Sequence, residues 1–204
     1  MSFRTKMGVA GLAVLGVLLL TGVYAASTYN TLIRLDQQVK SQWAQVENVY
    51  QRRLDLVPNL VETVKGAAKF EKETYLAVAE ARTKVGQVST SSLTNPANDP
   101  AQFARFQQAQ DGLTSALSRL MVVVERYPDL KAAENFRDLQ AQLEGTENRI
   151  SVERMRFNEA AQAFNARRDS FPTNLVAGLS GARFQEKAYF QAQPQAQTAP
   201  QVKF

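Results

Sequence analysis

The chain has 204 residues, with 24 Lys and Arg against 19 Asp and Glu, a formal net charge of +5, and neither cysteine nor histidine. Without cysteine it has no disulfide, no thiol nucleophile and no thiolate metal site. Without histidine it has no Ser-His-Asp triad and no imidazole base. The composition therefore excludes the commonest catalytic and metal-binding arrangements and favours an interaction or scaffolding role.

The first feature in chain order is an uncharged apolar stretch, residues 7–26. About 20 helical residues span the ~30 Å hydrocarbon core of a bilayer, so this stretch is predicted to be a transmembrane anchor. Arg4 and Lys6 precede it, and the positive-inside rule places residues 1–6 in the cytoplasm. The sequence therefore predicts a single-pass membrane protein whose body lies outside the cytoplasm.

A cleaved signal peptide is the alternative interpretation of the same stretch. A basic start, an apolar core and a small-residue exit also fit a signal peptide. Val23 and Ala25 would then occupy the −3 and −1 positions of a cut before Ala26. The apolar stretch is longer than the usual signal core of roughly 7–15 residues, which favours a retained anchor. Because no cysteine follows it, lipoprotein processing is excluded.

Beyond the anchor, apolar side chains recur every three or four residues, which indicates an amphipathic helix. The spacing continues through Pro58, although proline inside a helix removes a hydrogen bond and clashes with the preceding turn. One long helix kinked near Pro58 is therefore favoured over a hairpin in which Asp55 caps a new helix. Only Asp36 in this stripe is polar. The stripe is Tyr29, Leu32, Asp36, Val39, Trp43, Val46, Tyr50, Leu54, Val57, Val61, Val64 and Ala68.

Two further helices with the same spacing are predicted. Residues 87–99 are rich in Ser, Thr and Asn and indicate a loop. Asp99 and Pro100 then form an N-cap followed by proline at the first helical position. A third helix covers about residues 130–170, and a short fourth helix covers about residues 175–179. The second stripe is Phe103, Phe106, Gln110, Leu113, Leu117, Leu120, Val124 and Tyr127.

These elements predict an all-α fold, in which the N-terminal transmembrane helix is followed by an antiparallel bundle of three long helices and one short helix. The bundle covers residues 27–190, and coiled-coil-like packing is expected along its stripes. Residues 191–204 are rich in Gln, Ala and Pro and are predicted to form a flexible tail.

Several motifs of the sequence resemble the bacterial LemA family. They occur in the family's order along essentially the whole chain, so the resemblance is specific. Residues 178–182 (GLSGA) depart from the family pattern, which is richer in Phe there. The motifs are WAQV at 43–46, RRLDLVPNLVETVKG at 52–66, YPDLKA at 127–132, NF at 135–136, LQ at 139–140, TENRI at 146–150, FN at 157–158, FPTNL at 171–175 and PQVKF at 200–204.

The resemblance implies a membrane-anchored, all-helical bundle at the bacterial inner membrane, with a periplasmic body. It implies no reaction, because the family has no established one. It therefore supports the fold more strongly than any particular activity.

The candidate site residues are best explained as structural or interaction residues. Polar groups near Pro58 either form a pocket or cap the helix break, with Asn59 bonding a freed carbonyl. A buried charge costs several kcal/mol unless it is paired. We therefore expect Glu147 or Arg149 to pair with Glu62 or Arg53. The full set is Trp43, Arg53, Asp55, Pro58, Asn59, Glu62, Glu147, Asn148, Arg149, Val202 and Phe204.

No catalytic residue, cofactor, metal ion or nucleic acid is predicted. The sequence contains no EF-hand loop, Walker loop or dinucleotide fingerprint. Its cations are scattered among anions, without the dense basic run typical of nucleic-acid binding. Trp43 belongs to the apolar stripe, so core packing is a better explanation for it than ligand binding.

The expected function is that of a non-enzymatic scaffold that forms homo-oligomers at the membrane, with Val202 and Phe204 docking into a groove of a neighbouring copy. An adaptor or regulator of a membrane protease or of an envelope-stress system is the alternative, and it differs only in its partner. A hydrolase of envelope glycans needs only paired carboxylates. It is disfavoured because a narrow bundle predicts no cleft.

Overall fold

The structure is a computed structural model, and it describes residues 3–66, 72–90 and 96–191. All regular elements in these ranges are helical, which confirms the predicted all-α class. Two 3₁₀ turns, Pro96–Asn98 and Gly181–Phe184, accompany the helices. The helices are α1 (Phe3–Gly66), α2 (Lys72–Thr90), α3 (Pro100–Val124), α4 (Pro128–Ala132), α5 (Glu134–Asp169) and α6 (Thr173–Leu179).

Helix α1 has 64 residues and is about 96 Å long at 1.5 Å per residue. Its side chains from 11 to 27 are exposed or half-buried, and Thr28 is the first buried residue after this stretch. An 18-residue window of α1 has a mean hydropathy of 1.8, which suits a membrane-spanning helix. The apolar N-terminal part of α1 therefore projects beyond the bundle, and the remainder forms one of its walls.

Pro58 lies inside α1, which continues without interruption to Gly66. The hairpin alternative at Pro58 is therefore wrong. Val57, Leu60 and Val64 surround the proline in sequence and are all buried. Their burial stabilises a helical path on both sides of Pro58, which offsets the lost backbone hydrogen bond.

The bundle is built around the pairing of α1 with α5, which run antiparallel. Trp43 packs against Phe157, and Arg53, further along α1, meets Glu147, which comes earlier on α5. Helix α2 packs mainly against α3 and also contacts α1. Helices α4 and α6 are short connecting helices at opposite ends of α5. The structure thus has four main helices, as an antiparallel bundle requires.

The helix count and several helix boundaries differ from the sequence-based prediction. Helix α2 is separate from α1 and extends to Thr90, so the predicted loop 87–99 begins too early. The predicted third helix is interrupted at Ala133, whose backbone is extended. A three-four stripe has the same spacing in two successive helices, so it does not reveal where one helix ends. The predicted N-cap is confirmed, since Asp99 accepts hydrogen bonds from the backbone N–H groups of Ala101 and Gln102.

The hydrophobic core consists of two clusters arranged in sequence along α1. The proximal cluster, nearer the apolar N-terminal part of α1, contains residues of α1 from Leu32 to Tyr50. The distal cluster contains residues of α1 from Leu54 to Val64. Aromatic residues dominate the proximal cluster, whereas aliphatic residues of α1, α2 and α3 dominate the distal one.

Residues 185–191 have no helical structure, and we call them the strap. The strap follows the 3₁₀ turn that Gly181 begins with a φ of 61°, a left-handed conformation that favours glycine. Its Phe190 is buried in the proximal cluster, with its ring centroid 4.7 Å from that of Phe103 and 6.2 Å from that of Trp43. Trp43 is therefore a core residue, as the stripe predicted, and the strap forms part of the same core.

Replacing Phe190 by alanine tests whether the strap is part of the core. Removing a buried aromatic ring costs about 3–5 kcal/mol in large-to-small core substitutions. We expect Phe190→Ala to lower the free energy of urea unfolding of the full chain in detergent by an amount in this range.

Met155→Ala is the control, because Met155 is also a large apolar side chain but is 54% exposed. Its expected effect is within about 0.5 kcal/mol. Equal stability of the two variants would contradict the assignment of the strap to the core.

Candidate functional site

The strap contains a lysine whose charge is buried in the protein. Lys187 is 1% exposed, and its Nζ donates to Asp36 Oδ1 at 2.5 Å and to Asn98 Oδ1 at 2.5 Å. Lys40 Nζ lies 2.8 Å from the second oxygen of Asp36. The Phe164 ring centroid lies 4.5 Å from the ammonium group. Asp36 is thus the polar exception in the helix stripe because it is the counter-ion of a buried cation.

Burial and pairing both affect the pKa values of this ion pair. Burial by itself would raise the pKa of Asp36, but hydrogen bonds from Lys187 and Lys40 outweigh it and hold the pKa below its ordinary value of 3.8. Burial lowers the pKa of Lys187, against the opposing effect of Asp36. The Asp36 carboxylate therefore stays ionised at a pH at which an ordinary aspartate begins to take up a proton.

Two asparagines of α5 hold the strap backbone in an extended conformation. Asn165 accepts a hydrogen bond from Lys187 N–H at 2.8 Å and donates to the Lys187 carbonyl at 2.9 Å. Asn158, two helical turns earlier, makes the same pair of bonds with Phe190, at 2.9 and 3.0 Å. Because each amide satisfies one backbone donor and one acceptor, the strap needs no neighbouring strand.

A second polar group lies between the two core clusters. Arg53 is 1% exposed, and its guanidinium donates to Thr114 Oγ1 at 2.9 Å and to Glu147 Oε1 at 3.0 Å. It also donates to the side-chain and backbone oxygens of Gln110 and lies 5.0 Å from the Tyr50 ring centroid. This single cation therefore joins α1, α3 and α5.

The Arg53 network is incompletely satisfied. Arg53 Nε and Gln110 Nε2 are buried without a hydrogen-bond partner among the described residues. Burial also raises the pKa of the neighbouring Tyr50, which therefore remains a neutral phenol. An uncompensated buried donor costs about 1–3 kcal/mol. The Arg53 network therefore provides specificity of helix packing but lowers the free energy of unfolding.

The structure brings together one of the pairs expected from the sequence, Arg53 with Glu147. Glu62 is exposed and bonds instead to Lys65 at 2.7 Å. Asp55 is exposed and accepts a hydrogen bond from Gln51 Nε2 at 2.8 Å.

The other candidate residues lie elsewhere. Pro58 is half-buried, while Asn59, Asn148 and Arg149 are exposed. Val202 and Phe204 lie outside the described residues, as does the remainder of the predicted tail after Gln191.

Sequence reasoning missed most partners of the two buried cations. The sequence did contain one signal of these contacts, namely the polar residues that occupy positions of the apolar stripes. Asp36 interrupts the first stripe and Gln110 interrupts the second, and each contacts a buried cation. No local pattern marks Lys187, because its burial depends on contacts 151 residues away along the chain.

These two sites hold distant parts of the chain together. Within the described ranges, no three Asp, Glu, His or Cys side chains are grouped as a metal ion would require. A groove of about 560 Å³ lies between α3 and α5 beside the Arg53 network. We call it the α3–α5 groove. It is lined by Thr114, Leu117, Ser118, Met121, Gln140, Leu143, Glu144, Glu147 and Asn148.

Removing Glu147 tests the cost of leaving Arg53 buried without its carboxylate. Because Glu147 is itself half-exposed, we expect Glu147→Ala to destabilise the full chain by about 2–3 kcal/mol, below the range for fully buried pairs. The double variant Arg53→Met/Glu147→Ala should recover most of this loss, since no buried charge is then unpaired. Urea unfolding in detergent measures both values.

Glu80→Ala provides the control, because it breaks the exposed pair with Lys84. Such pairs contribute at most about 1 kcal/mol. A double variant less stable than the Glu147 single variant would contradict the explanation by an unpaired buried charge.

The Asp36–Lys187 pair predicts a specific acid dependence. As the pH falls, the unfolded chain protonates Asp36 before the folded chain does, because the pKa is lower in the fold. The pair's contribution is therefore complete above about pH 4 and is lost as the pH falls through the lower folded pKa. The unfolding free energy of the native chain should decline in this range.

The double variant Asp36→Leu/Lys187→Met removes both charges and should show a shallower decline below pH 4. Equal acid slopes in the native chain and the double variant would show that the carboxylate of Asp36 is not stabilised by the fold.

Comparisons with known proteins support the interpretation of the sequence. A LemA family profile matches residues 42–204. Magnetosome protein MamQ 2 of Paramagnetospirillum magneticum is 27% identical over 184 residues, covering 83% of this chain and 67% of MamQ 2. Magnetosome protein MamQ of Magnetospirillum gryphiswaldense is 25% identical over 191 residues, covering 85% of this chain and 70% of that protein.

A relative that carries the family's name is also similar. Protein LemA of Metamycoplasma hominis is 24% identical over 148 residues, covering 72% of this chain and 63% of that protein. The family profile covers most of the chain, including both buried cations, Arg53 and Lys187. The chain therefore belongs to the LemA family.

Proposed function

We propose that this protein is a non-enzymatic, membrane-anchored scaffold that self-assembles at the inner membrane through its C-terminal tip. The observation that carries the proposal is the chemistry of the α3–α5 groove. It combines an apolar base with an acidic rim, and the C-terminal tip of the chain has the complementary pattern.

The base of the groove is formed by Leu117, Met121 and Leu143, and its rim includes the carboxylates of Glu144 and Glu147. The C-terminal tip, residues 202–204, reads Val-Lys-Phe. Two apolar side chains thus flank one cation. Burying a Val or Phe side chain contributes roughly 1.5–3 kcal/mol. In the proposed complex the cation of the docked tip would meet the two carboxylates, which would fix its orientation.

The position of the groove places it within reach of the tail. The strap ends at Gln191, whose backbone bonds to Gln107 of α3 and Arg154 of α5. The groove begins at Thr114, about 10 Å further along α3, and ends about 21 Å away at Met121. In an extended chain Val202 lies as much as ~36 Å from Gln191. A tail of this length can therefore reach its own groove or that of a neighbouring copy, and the cross-linking experiment below distinguishes the two.

The carboxylates of the groove are unsuited to hydrolysis because they serve structural partners. Glu147 pairs with the buried Arg53, and Glu144 accepts a hydrogen bond from Gln140 at 3.0 Å. A glycosidase needs two carboxylates that flank a bound sugar. The names of the relatives reported above mention no reaction, which also supports a non-enzymatic role.

Cysteine cross-linking tests the proposal cleanly, because the chain contains no cysteine of its own. We would mix the full-length variant Asn148→Cys, at the exposed wall of the groove, with the full-length variant Val202→Cys in mild detergent. Oxidation should give a disulfide-linked dimer of the two variants, and native mass measurement of the unmodified protein should give an oligomer.

Val152→Cys is the matched control for Asn148→Cys, because it is exposed one helical turn further along α5 and does not line the groove. Its cross-linking to Val202→Cys should be severalfold weaker. A disulfide formed only within a chain carrying both Asn148→Cys and Val202→Cys would place the tip in its own groove and overturn assembly by this route. A monomer that copurifies with another membrane protein would favour the adaptor alternative.

A further inference from the structure

We propose that the end of the bundle nearest the anchor makes a second contact with the membrane, through an apolar corner formed by Phe171, Leu175 and Leu179. The corner would rest in the interfacial region of the bilayer, with its neighbouring arginines at anionic headgroups. This inference rests on the membrane anchor of the proposed function, and it adds a binding surface on the bundle itself.

The corner exposes more apolar surface than a water-facing surface normally does. Phe171 is 80% exposed, Leu175 is 57% exposed and Leu179 is 91% exposed. Leu175 and Leu179 are four residues apart on α6, so they lie on the same face of that helix. The opposite face carries Thr173 and Ala177, which are buried against the bundle. Helix α6 is thus apolar on its outer side, which is the reverse of a soluble surface helix.

The corner lies at the height where α1 leaves the bundle. Leu179 and Val176 of α6 line one side of an open cleft, and Ala25 and Ala26 line the other. These two alanines end the predicted span 7–26, and burial on α1 begins two residues later, at Thr28. The outer face of α6 lies level with the end of the predicted span. A bilayer that surrounds the span would therefore also contact the corner.

Charges around the corner match an anionic headgroup layer. The stretch 163–184 contains three arginines, Arg167, Arg168 and Arg183, and one acidic residue, Asp169. Arg167 and Arg183 are exposed, and the Arg183 guanidinium lies 5.6 Å from the Tyr29 ring centroid. Asp169 pairs with Arg168 at 2.5 Å. Basic residues beside apolar ones are typical of surfaces that lie in the bilayer interface.

A lipid interface explains both the exposed apolar part of α1 and the corner, whereas a protein partner would explain only the corner. The exposed part of α1 and the exposed face of α6 are continuous in space across the cleft at Ala25 and Ala26. Two separate points of contact, the span and the corner, would also limit tilting of the long bundle relative to the membrane. The corner therefore acts as an orienting surface for the scaffold.

Site-specific fluorophore labelling tests this inference, since each cysteine introduced is the only one in the chain. We would label Leu179→Cys in the full-length protein with an environment-sensitive fluorophore. The protein would be reconstituted into vesicles of phosphatidylcholine and phosphatidylglycerol that carry a nitroxide-labelled lipid. Leu18→Cys reports on the anchor, and Val122→Cys, 68% exposed near the far end of α3, reports on an apolar site away from the membrane.

We expect the label at Leu179→Cys to be quenched severalfold more strongly than the label at Val122→Cys and to show a blue-shifted emission. A second label at the exposed Asn174→Cys should also be quenched, and combining it with Leu175→Ser/Leu179→Ser should reduce its quenching to the level of Val122→Cys.

Equal quenching at Leu179→Cys and Val122→Cys, together with strong quenching at Leu18→Cys, would overturn the membrane corner while the anchor stands. Absence of quenching at Leu18→Cys would instead overturn the anchor of the proposed function. Quenching at Leu179→Cys that persists in vesicles without phosphatidylglycerol would support insertion of the apolar side chains. Quenching that weakens as the phosphatidylglycerol content is lowered would support the contribution of the arginines.

Discussion

The buried charge of Lys187 is the interaction on which the end of the bundle nearest the apolar N-terminal part of α1 depends. An ammonium group that loses its water must gain a counter-ion and hydrogen-bond acceptors, or it costs several kcal/mol. Asp36 and Asn98 supply them, and they come from α1 and from the turn that precedes α3. The strap reaches this position only if α1, α3 and α5 are already correctly placed. The Asp36–Lys187 pair therefore makes folding of the strap depend on folding of the helices. It connects residues that are 151 positions apart in the sequence.

A second buried cation divides the long core into two parts. Arg53 lies between the proximal cluster, which ends at Tyr50 on α1, and the distal cluster, which begins at Leu54. Apolar stripes alone would tolerate a shift of one helix along another, because each stripe repeats its own pattern. A guanidinium that must meet oxygens of Gln110 and Glu147 has one favourable position along each helix. We therefore regard this polar layer as the element that fixes the register of α1, α3 and α5.

The two networks also separate the buried charges of the protein from the groups on its surface. The least exposed charged groups are engaged inside the bundle, and the groups left on the surface form a groove and an apolar corner. The groove lies toward the distal end and the corner lies beside the anchor. In the scaffold proposed above, contacts with lipid and contacts with other copies would therefore use different surfaces.

The sequence by itself determined the elements that depend on local periodicity. The apolar stretch 7–26, the core position of Trp43, the N-cap at Asp99 and the helical path through Pro58 all follow from spacing and residue type. It also marked Asp36 and Gln110 as exceptions, without showing what they contact. Only the tertiary structure showed that α1 ends at Gly66 and that α2 is a separate helix. It also showed that Asn158 and Asn165 hold the strap and that Lys187 is buried. Helical periodicity is a property of neighbours in sequence, whereas a buried charge is tolerated only where distant segments supply its partners.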